Sequence, residues 1–250
     1  MVALGEVSVA RGSYHIGTSG WIYDHWKRRF YPEDLPQKKW LEHYRDHFST
    51  VEINNSFYNL PEKKTFEDWR RRTGKDFIFS VKASRYITHM KKLKDPEEPV
   101  ERFFSQASGL KEKMGPVLFQ LPPRWKANPD RLRAFLKALP RKRRYTFEFR
   151  DESWWNDETY EILADFNAAF CIFELDRRET PHEVTADFVY IRLHGPEGAY
   201  EGSYHGNTLR AWAREISGWN DSGLDVYCYF DNDQDAFAVR DAKRLLGMLG

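Results

Sequence analysis

Hydrophobic and polar positions alternate in short bursts along this chain, and most of the stretches between bursts repeat at helical spacing. Eight bursts rich in Val, Ile, Phe and Tyr predict strands: Tyr14–Thr18, Thr50–Asn54, Phe77–Lys82, Val117–Leu121, Tyr145–Phe149, Phe170–Glu174, Phe188–His194 and Asp225–Asp231. Lys38–Phe48 sets Trp40, Leu41, Tyr44 and Phe48 on one helical face. Phe66–Arg72, Val100–Met114, Asp130–Leu139, Asp157–Asn167, Leu209–Trp219 and Asp235–Leu249 are the other predicted helices. Asn128 followed by Pro129 reads as an N-cap with proline at the first helical position, and Asn156 caps the next helix. The connection Leu175–Asp187, interrupted by Pro181, reads poorly as a helix. No Pro/Gly/Ser-rich linker divides the chain. Alternating β and α units in this number predict an α/β fold, a single (β/α)8 TIM-type barrel over residues 1–250, with 1–13 as a flexible extension.

Alternation within each burst separates two faces. The apolar sets, such as Phe147 with Phe149, Ile191 with Leu193, and Cys228 with Phe230, are assigned to the face under the helices. The complementary sets then point into the barrel: Gly17 and Ser19, Glu52 and Asn54, Ser80 and Lys82, Gln120, Glu148 and Arg150, Tyr190, Arg192 and His194, and Tyr227, Tyr229 and Asp231. Phe170–Glu174 gives no clear face. The polar inward residues gather at the C-terminal ends of the strands, where barrel enzymes carry their active sites. Burying so many charges is costly without a purpose. A polar pocket is therefore expected there; a buried ion-pair network that fixes strand register is the structural alternative.

Composition narrows the classes. The chain has 250 residues, 41% hydrophobic, which is enough for one large core. Lys and Arg total 39 against 38 Asp and Glu, a net charge of +1, which argues against a dominantly basic nucleic-acid module. The two cysteines, Cys171 and Cys228, show no disulfide-scaffold or zinc spacing. No apolar run reaches membrane-spanning length and no signal-peptide pattern opens the chain, so a cytoplasmic protein without membrane contact is expected.

The segments His15–Trp21 (HIGTSGW), Glu52–Tyr58 (EINNSFY), Phe79–Ser84 (FSVKAS), Leu118–Pro123 (LFQLPP), Phe147–Trp155 (FEFRDESWW), Arg192–Gly195 (RLHG) and Tyr229–Asp233 (YFDND) occur in order across nearly the whole chain. Together they resemble the YecE-like family, domain of unknown function 72. The resemblance implies a (β/α)8 barrel and supplies no reaction. Two departures from the family pattern are Pro196-Glu197-Gly198 after RLHG, and Asp231 before Asn232 where a second Asn is expected.

The candidate catalytic residues are Glu52, Glu148 and His194. Two carboxylates on different strands can divide acid and base roles, with Glu148 the better base, and a histidine can shuttle protons near neutrality. Candidate substrate-binding residues are Asn54, Lys82, Gln120, Arg150, Arg192, Tyr229 and Asp231. Trp21 and Trp154 are chosen to stack on a sugar or base. The basic segment of Lys82, Arg85, His89, Lys91, Lys92 and Lys94 would attract a phosphate. Glu52, Glu148, His194 and Asp231 are ligand types that suit a divalent metal, yet no ligand spacing supports one, and no metal residue is assigned. Asp231–Asp235 imitates an EF-hand opening but fails at Ala236 and Ala242. The glycine-rich loop Gly195–Asn207 could serve as a lid. The expectation is an enzyme using acid–base chemistry on an anionic small molecule, a phosphorylated sugar or nucleotide, with hydrolysis, isomerisation and lyase chemistry open. A nucleic-acid-processing, endonuclease-like barrel and a non-catalytic ligand-binding barrel are the alternatives. Oligomeric state is not legible.

Overall fold

The structure, a computed structural model, describes residues 10–250. Residues 1–9 of the expected extension lie outside them; Gly12 and Ser13 are fastened, Gly12 N–H to the Asn220 carbonyl at 3.0 Å and Ser13 N–H to the Asp225 carboxylate at 2.8 Å. The strands are β1 (Tyr14–Thr18), β2 (Thr50–Ile53), β3 (Ile78–Lys82), β4 (Met114–Leu121), β5 (Tyr145–Phe149), β6 (Ala168–Leu175), β7 (Arg178–Glu179), β8 (Phe188–Leu193) and β9 (Asp225–Phe230). Eight run parallel in the order β1-β9-β8-β6-β5-β4-β3-β2, and β7 is a two-residue strand folded back on β6. The fold is a nearly closed TIM-type barrel.

The helices are α1 (Trp40–Arg45), α2 (Asn55–Tyr58), α3 (Lys63–Arg72), α4 (Glu97–Ala107), α5 (Pro129–Ala138), α6 (Asp157–Asp165), α7 (Gly206–Asp221) and α8 (Phe237–Leu249). Asn128 and Asn156 cap α5 and α6 through side-chain oxygens that accept from the third residue beyond, Arg131 and Thr159. The helix predicted over Val100–Met114 is α-helical only to Ala107; Ser108–Lys113 tightens into 3-10 turns broken at Lys111, whose φ is 51°, and Met114 opens β4. No helix crosses between β6 and β8. Asp176 and Arg177, both at positive φ, form a two-residue hairpin turn into β7. The remaining chain is pinned to β6 by hydroxyls: Thr180 Oγ1 accepts the Phe173 N–H at 3.0 Å and Thr185 Oγ1 the Phe170 N–H at 2.8 Å.

β1 and β2 close the barrel through a single bridge, Ser19 to Glu52. Below it the Tyr44 hydroxyl of α1 fills the seam, accepting the Thr18 N–H at 2.9 Å and donating to the Thr50 carbonyl at 3.1 Å. Gly17 lies in this seam, where a Cβ would meet the Thr50 carbonyl oxygen at 2.4 Å.

Two apolar layers follow from strand alternation. The larger one lies between strands and helices and contains Phe147, Phe149, Ile191, Leu193, Cys228 and Phe230. The barrel interior holds a second cluster of Leu118, Ala169, Cys171, Phe188, Tyr190, Tyr227 and Tyr229. Cys171 and Ala169 therefore face inward, which settles β6. At the N-terminal end Arg144 plugs the barrel, reaching Asp225 at 2.6 Å and the Tyr227 hydroxyl at 3.1 Å, and His15 stacks on Tyr227 at 4.5 Å. Among the described residues no helix is long and apolar enough to cross a membrane, and both cysteines are free and buried.

Candidate functional site

At the C-terminal end, alternation on β2, β5, β8 and the residue after β9 delivers Glu52, Glu148, Arg192 and Asp231 to one point. Arg192 is the hub, with 1% of its side chain exposed. Its Nε donates to Glu52 Oε2 at 3.1 Å. Nη1 donates to Glu148 Oε2 at 2.7 Å and to His194 Nε2 at 2.8 Å. Nη2 donates to Asp231 Oδ2 at 2.8 Å and to Ser19 Oγ at 3.0 Å. Each guanidinium nitrogen is thus engaged, which a buried arginine requires. Glu52 also accepts from the Tyr190 hydroxyl at 2.7 Å and from Ser19. Arg150 donates to Glu148 and, at 3.0 Å, to His194 Nε2.

His194 consequently has a fixed tautomer. Two guanidiniums donate to Nε2, so that nitrogen is the acceptor, and Nδ1–H donates to the Glu174 carbonyl at 3.1 Å. Burial, with Arg192 and Arg150 alongside, pushes its pKa well below the ordinary value, and the ring is neutral. Burial works to raise the Glu148 pKa, but the Arg150 and Arg192 guanidiniums prevail and hold the carboxyl below the usual range. Asp231 differs: burial lifts its pKa to about 6, opposed by Arg192 and reinforced by Glu52.

Lys82, half-buried at the end of β3, stands beside this network. Its Nζ lies 4.5 Å from the centre of the Phe57 ring. Glu52 and Asp231 are turned onto Arg192 and Glu148 onto both arginines, so Lys82 has no ion pair among the described residues. Burial, then Arg192, lowers its pKa to about 8. His89, on the turn after β3, is lowered to about 4 by burial and by Lys82. Asn54 donates to Ser19 Oγ, and its own Oδ1 is buried with no donor among the described residues.

Gln120 and Arg150 line a cavity of about 370 Å³ over β4 to β6, together with Trp155, Phe173 and Tyr200. An adjoining hollow of about 440 Å³ shares Pro123, Arg150 and Arg178 and adds Arg124 and Lys126. Positive charge beside the cavity thus comes from the loops after β4 and β6. Of the basic segment after β3, Lys82 and His89 lie next to the network, His89 packing on Phe57 at 5.0 Å, and Lys91 pairs with Asp95 at 3.1 Å.

Two sequence expectations, Tyr229 and Trp154 as ligand contacts, need correction. Tyr229 faces inward but lies below the mouth, fully buried, with its hydroxyl on Thr50 at 2.7 Å and Ser80 at 2.8 Å, so it cannot touch a ligand. Trp154 is fully buried, stacked on Phe149 at 4.8 Å with its Nε1–H donating to the Trp125 carbonyl at 2.7 Å. Its neighbour Trp155 faces the cavity instead. Trp21 is buried edge-on to Trp69 at 5.1 Å and lines a small hollow of about 120 Å³ with Tyr23 and Asn54. The second half of the loop Gly195–Asn207 is tied to α8, the Tyr204 N–H donating to Asp241 at 2.9 Å and the Arg244 guanidinium to the Tyr204 carbonyl at 2.7 Å. The Gly195 N–H donates to the Tyr204 hydroxyl at 3.0 Å, and Asn232 donates to the Gly202 carbonyl at 2.8 Å and to Asp241 at 3.0 Å. Tyr200, 44% exposed, remains over His194 with ring centres 5.8 Å apart. Among the described residues no group of three or more His, Cys, Asp or Glu is arranged to hold a metal ion, because the candidate carboxylates are turned onto guanidiniums. Alternation marks Ser19 and Tyr190 as inward; Trp155 follows a strand end and Tyr200 lies in the glycine-rich loop, which places both near the mouth without singling them out, and nothing in the sequence marks Phe57.

Comparison with known proteins covers the same span. The model of DUF72, a family described as protein of unknown function, matches residues 15–250. The UPF0759 protein YunF of Bacillus subtilis strain 168 is 25% identical over 269 residues, covering 94% of this chain and 94% of YunF. The UPF0759 protein YecE of Escherichia coli K12 is 32% identical over 139 residues, covering 54% of this chain and 48% of YecE. The crystal structure of a DUF72 family protein from Thermotoga maritima superposes with a TM-score of 0.85 at 28% identity, covering 95% of this chain and 99% of that one.

Proposed function

Since this chain belongs to the DUF72 family, whose barrel comes without an assigned reaction, we propose from its own mouth an enzyme that performs acid–base chemistry on an anionic small molecule, a phosphorylated sugar or a nucleotide. The observation that carries the reading is Lys82, an amine at a strand end beside buried charges and without a carboxylate of its own. An ammonium left unpaired beside this network can pair with a substrate anion and is a proton donor near neutrality.

Proton-transfer roles go to Asp231 and Lys82 in place of Glu148 and His194. Glu148 is weakened as a base by two arginines, and the His194 lone pair at Nε2 is occupied by guanidinium donors. Asp231 and Lys82 have values of about 6 and about 8, either side of neutrality. Asp231 acts as base when ionised and Lys82 as acid when protonated, so kcat/KM should peak between those values. Glu52, Glu148 and His194 hold Arg192 in place, and Arg150, in the cavity wall, offers charge to the substrate or to negative charge developing in the reaction.

The test has two arms. The ammonium of Lys82 can be followed by NMR after reductive ¹³C-methylation, with Lys82→Arg identifying its resonance. Titration near pH 8 is expected, and titration above 10 would remove the acid assignment. Separately, a mixture of phosphorylated sugars and nucleotides is incubated with the protein and followed by proton NMR. Consumption of one component should fall on the order of 10²–10⁴-fold in Lys82→Met. No consumption by the unaltered protein would leave a binding barrel in place of an enzyme.

A further inference from the structure

The two hollows at the mouth differ in chemistry. The cavity of about 370 Å³ is walled by the aromatic rings of Trp155, Phe173 and Tyr200. Its size suits a small organic ligand. The Trp155 ring is held in place, its Nε1–H donating to the Phe149 carbonyl at 3.1 Å and its face edge-on to Phe173 at 6.3 Å. The adjoining hollow is basic. Arg124 and Lys126 have no ion pair among the described residues, and Arg178 is held only by an exposed contact to Glu152 at 3.4 Å. Asp151, the other acid in its wall, accepts the Ser153 N–H at 3.1 Å and hydroxyl at 2.7 Å through Oδ1, so the four cations of the wall face two carboxylates. Arg150 and Arg178 stand in both walls, so one molecule can occupy both spaces.

We infer that the ligand is a nucleoside phosphate, its base between Trp155 and Tyr200 and its phosphate in the hollow of Arg124, Lys126 and Arg178. The inference rests on the reading of the mouth as an anion site and selects within it. A sugar phosphate would engage the basic hollow but would leave the aromatic walls without a flat partner. A base supplies that partner, and stacking is tolerant of which base it is. The hairpin at Asp176 and Arg177 brings the Arg178 side chain to the edge shared by the two spaces.

Calorimetric titration of the full chain with AMP, GMP, CMP and UMP, with ribose 5-phosphate and with adenosine tests this. At least one nucleotide should bind tenfold or more tightly than ribose 5-phosphate. Trp155→Ala should remove that advantage and leave ribose 5-phosphate binding unchanged. Tyr200→Ala, on an exposed loop, gives the same readout should Trp155→Ala fail to fold. Arg178→Glu should weaken nucleotides and ribose 5-phosphate and spare adenosine. Ribose 5-phosphate binding as tightly as every nucleotide would overturn the ring subsite while leaving the anion reading, which the Lys82 experiments decide separately. Absence of nucleotide binding at millimolar concentration would overturn the inference outright.

Discussion

Asp231 and Glu148 touch the same guanidinium and respond to it in opposite ways. Glu148 faces two arginines, so its carboxylate stabilises the fold at neutral pH and loses that contribution as acid protonates it. Asp231 is lifted from 3.8 to about 6 chiefly by burial. The folded state then holds its proton more tightly than the unfolded chain does. Asp231 therefore costs stability as pH rises from about 4 to about 6 and continues to cost it above, on the order of 3 kcal/mol at most. Asp231→Asn removes this penalty, so the melting temperature should gain more between pH 4 and pH 7 in the variant than in the parent protein. Equal gains by differential scanning fluorimetry would mean that burial has not perturbed the carboxyl. Single residues also show how far sequence reading reached. Alternation placed Glu52, Glu148, Arg192 and Asp231 on the inner face because strand side chains have a fixed period of two. It gave no depth. Tyr229 shares the face of Asp231 but lies two residues, roughly 7 Å, lower along the strand, where its hydroxyl is consumed by Thr50 and Ser80. Trp154 and Trp155 follow the strand end in a short irregular turn, and with no period to apply, the sequence could not say which ring would be buried.

At the scale of elements, every one of the eight bursts became a barrel strand, and the capped helices α5 and α6 began where their asparagines indicated. Two connections were not legible. Asp176-Arg177 lacks the glycine that normally marks a two-residue hairpin, so the turn into β7 gave no signal. The closure of β1 on β2 depends on a side chain from a helix, which strand patterns do not encode. The hydroxyl of Tyr44 stands there for missing ladder bonds, satisfying the Thr18 N–H and the Thr50 carbonyl. Tyr44→Phe keeps the packed ring and leaves both backbone groups buried without partners, at a cost of about 1–3 kcal/mol. Urea unfolding should show that loss, with the melting temperature down by several degrees. A variant within half a kcal/mol of the parent would mean that the seam closes without the hydroxyl.

For the molecule as a whole, the barrel separates stability from chemistry along its axis. The middle is filled by tyrosines and small apolar groups, the N-terminal end is plugged by Arg144, and charge is concentrated around Arg192 at the mouth. That concentration is close to neutral only while Arg192 is present, because Glu52, Glu148 and Asp231 all converge on it. Arg192→Met retains much of the apolar stem but leaves three carboxyls facing one another in a region of low dielectric. Breaking a buried network from one side costs about 3–5 kcal/mol, and denaturant unfolding at pH 7 should show a deficit of that order. The deficit must then shrink on acidification. With the guanidinium gone, the clustered carboxyls bind protons more readily than in the unfolded chain, so the variant gains relative to the parent as pH falls from 7 to 5. Arg144→Met at the other end should be milder, since Arg144 and Asp225 are each about a third exposed and solvent screens their interaction. A deficit for Arg192→Met that stayed constant with pH would mean that lost packing, rather than unbalanced charge, separates the variant from the parent, and the mouth would then lack the electrostatic unit on which the proposed chemistry depends.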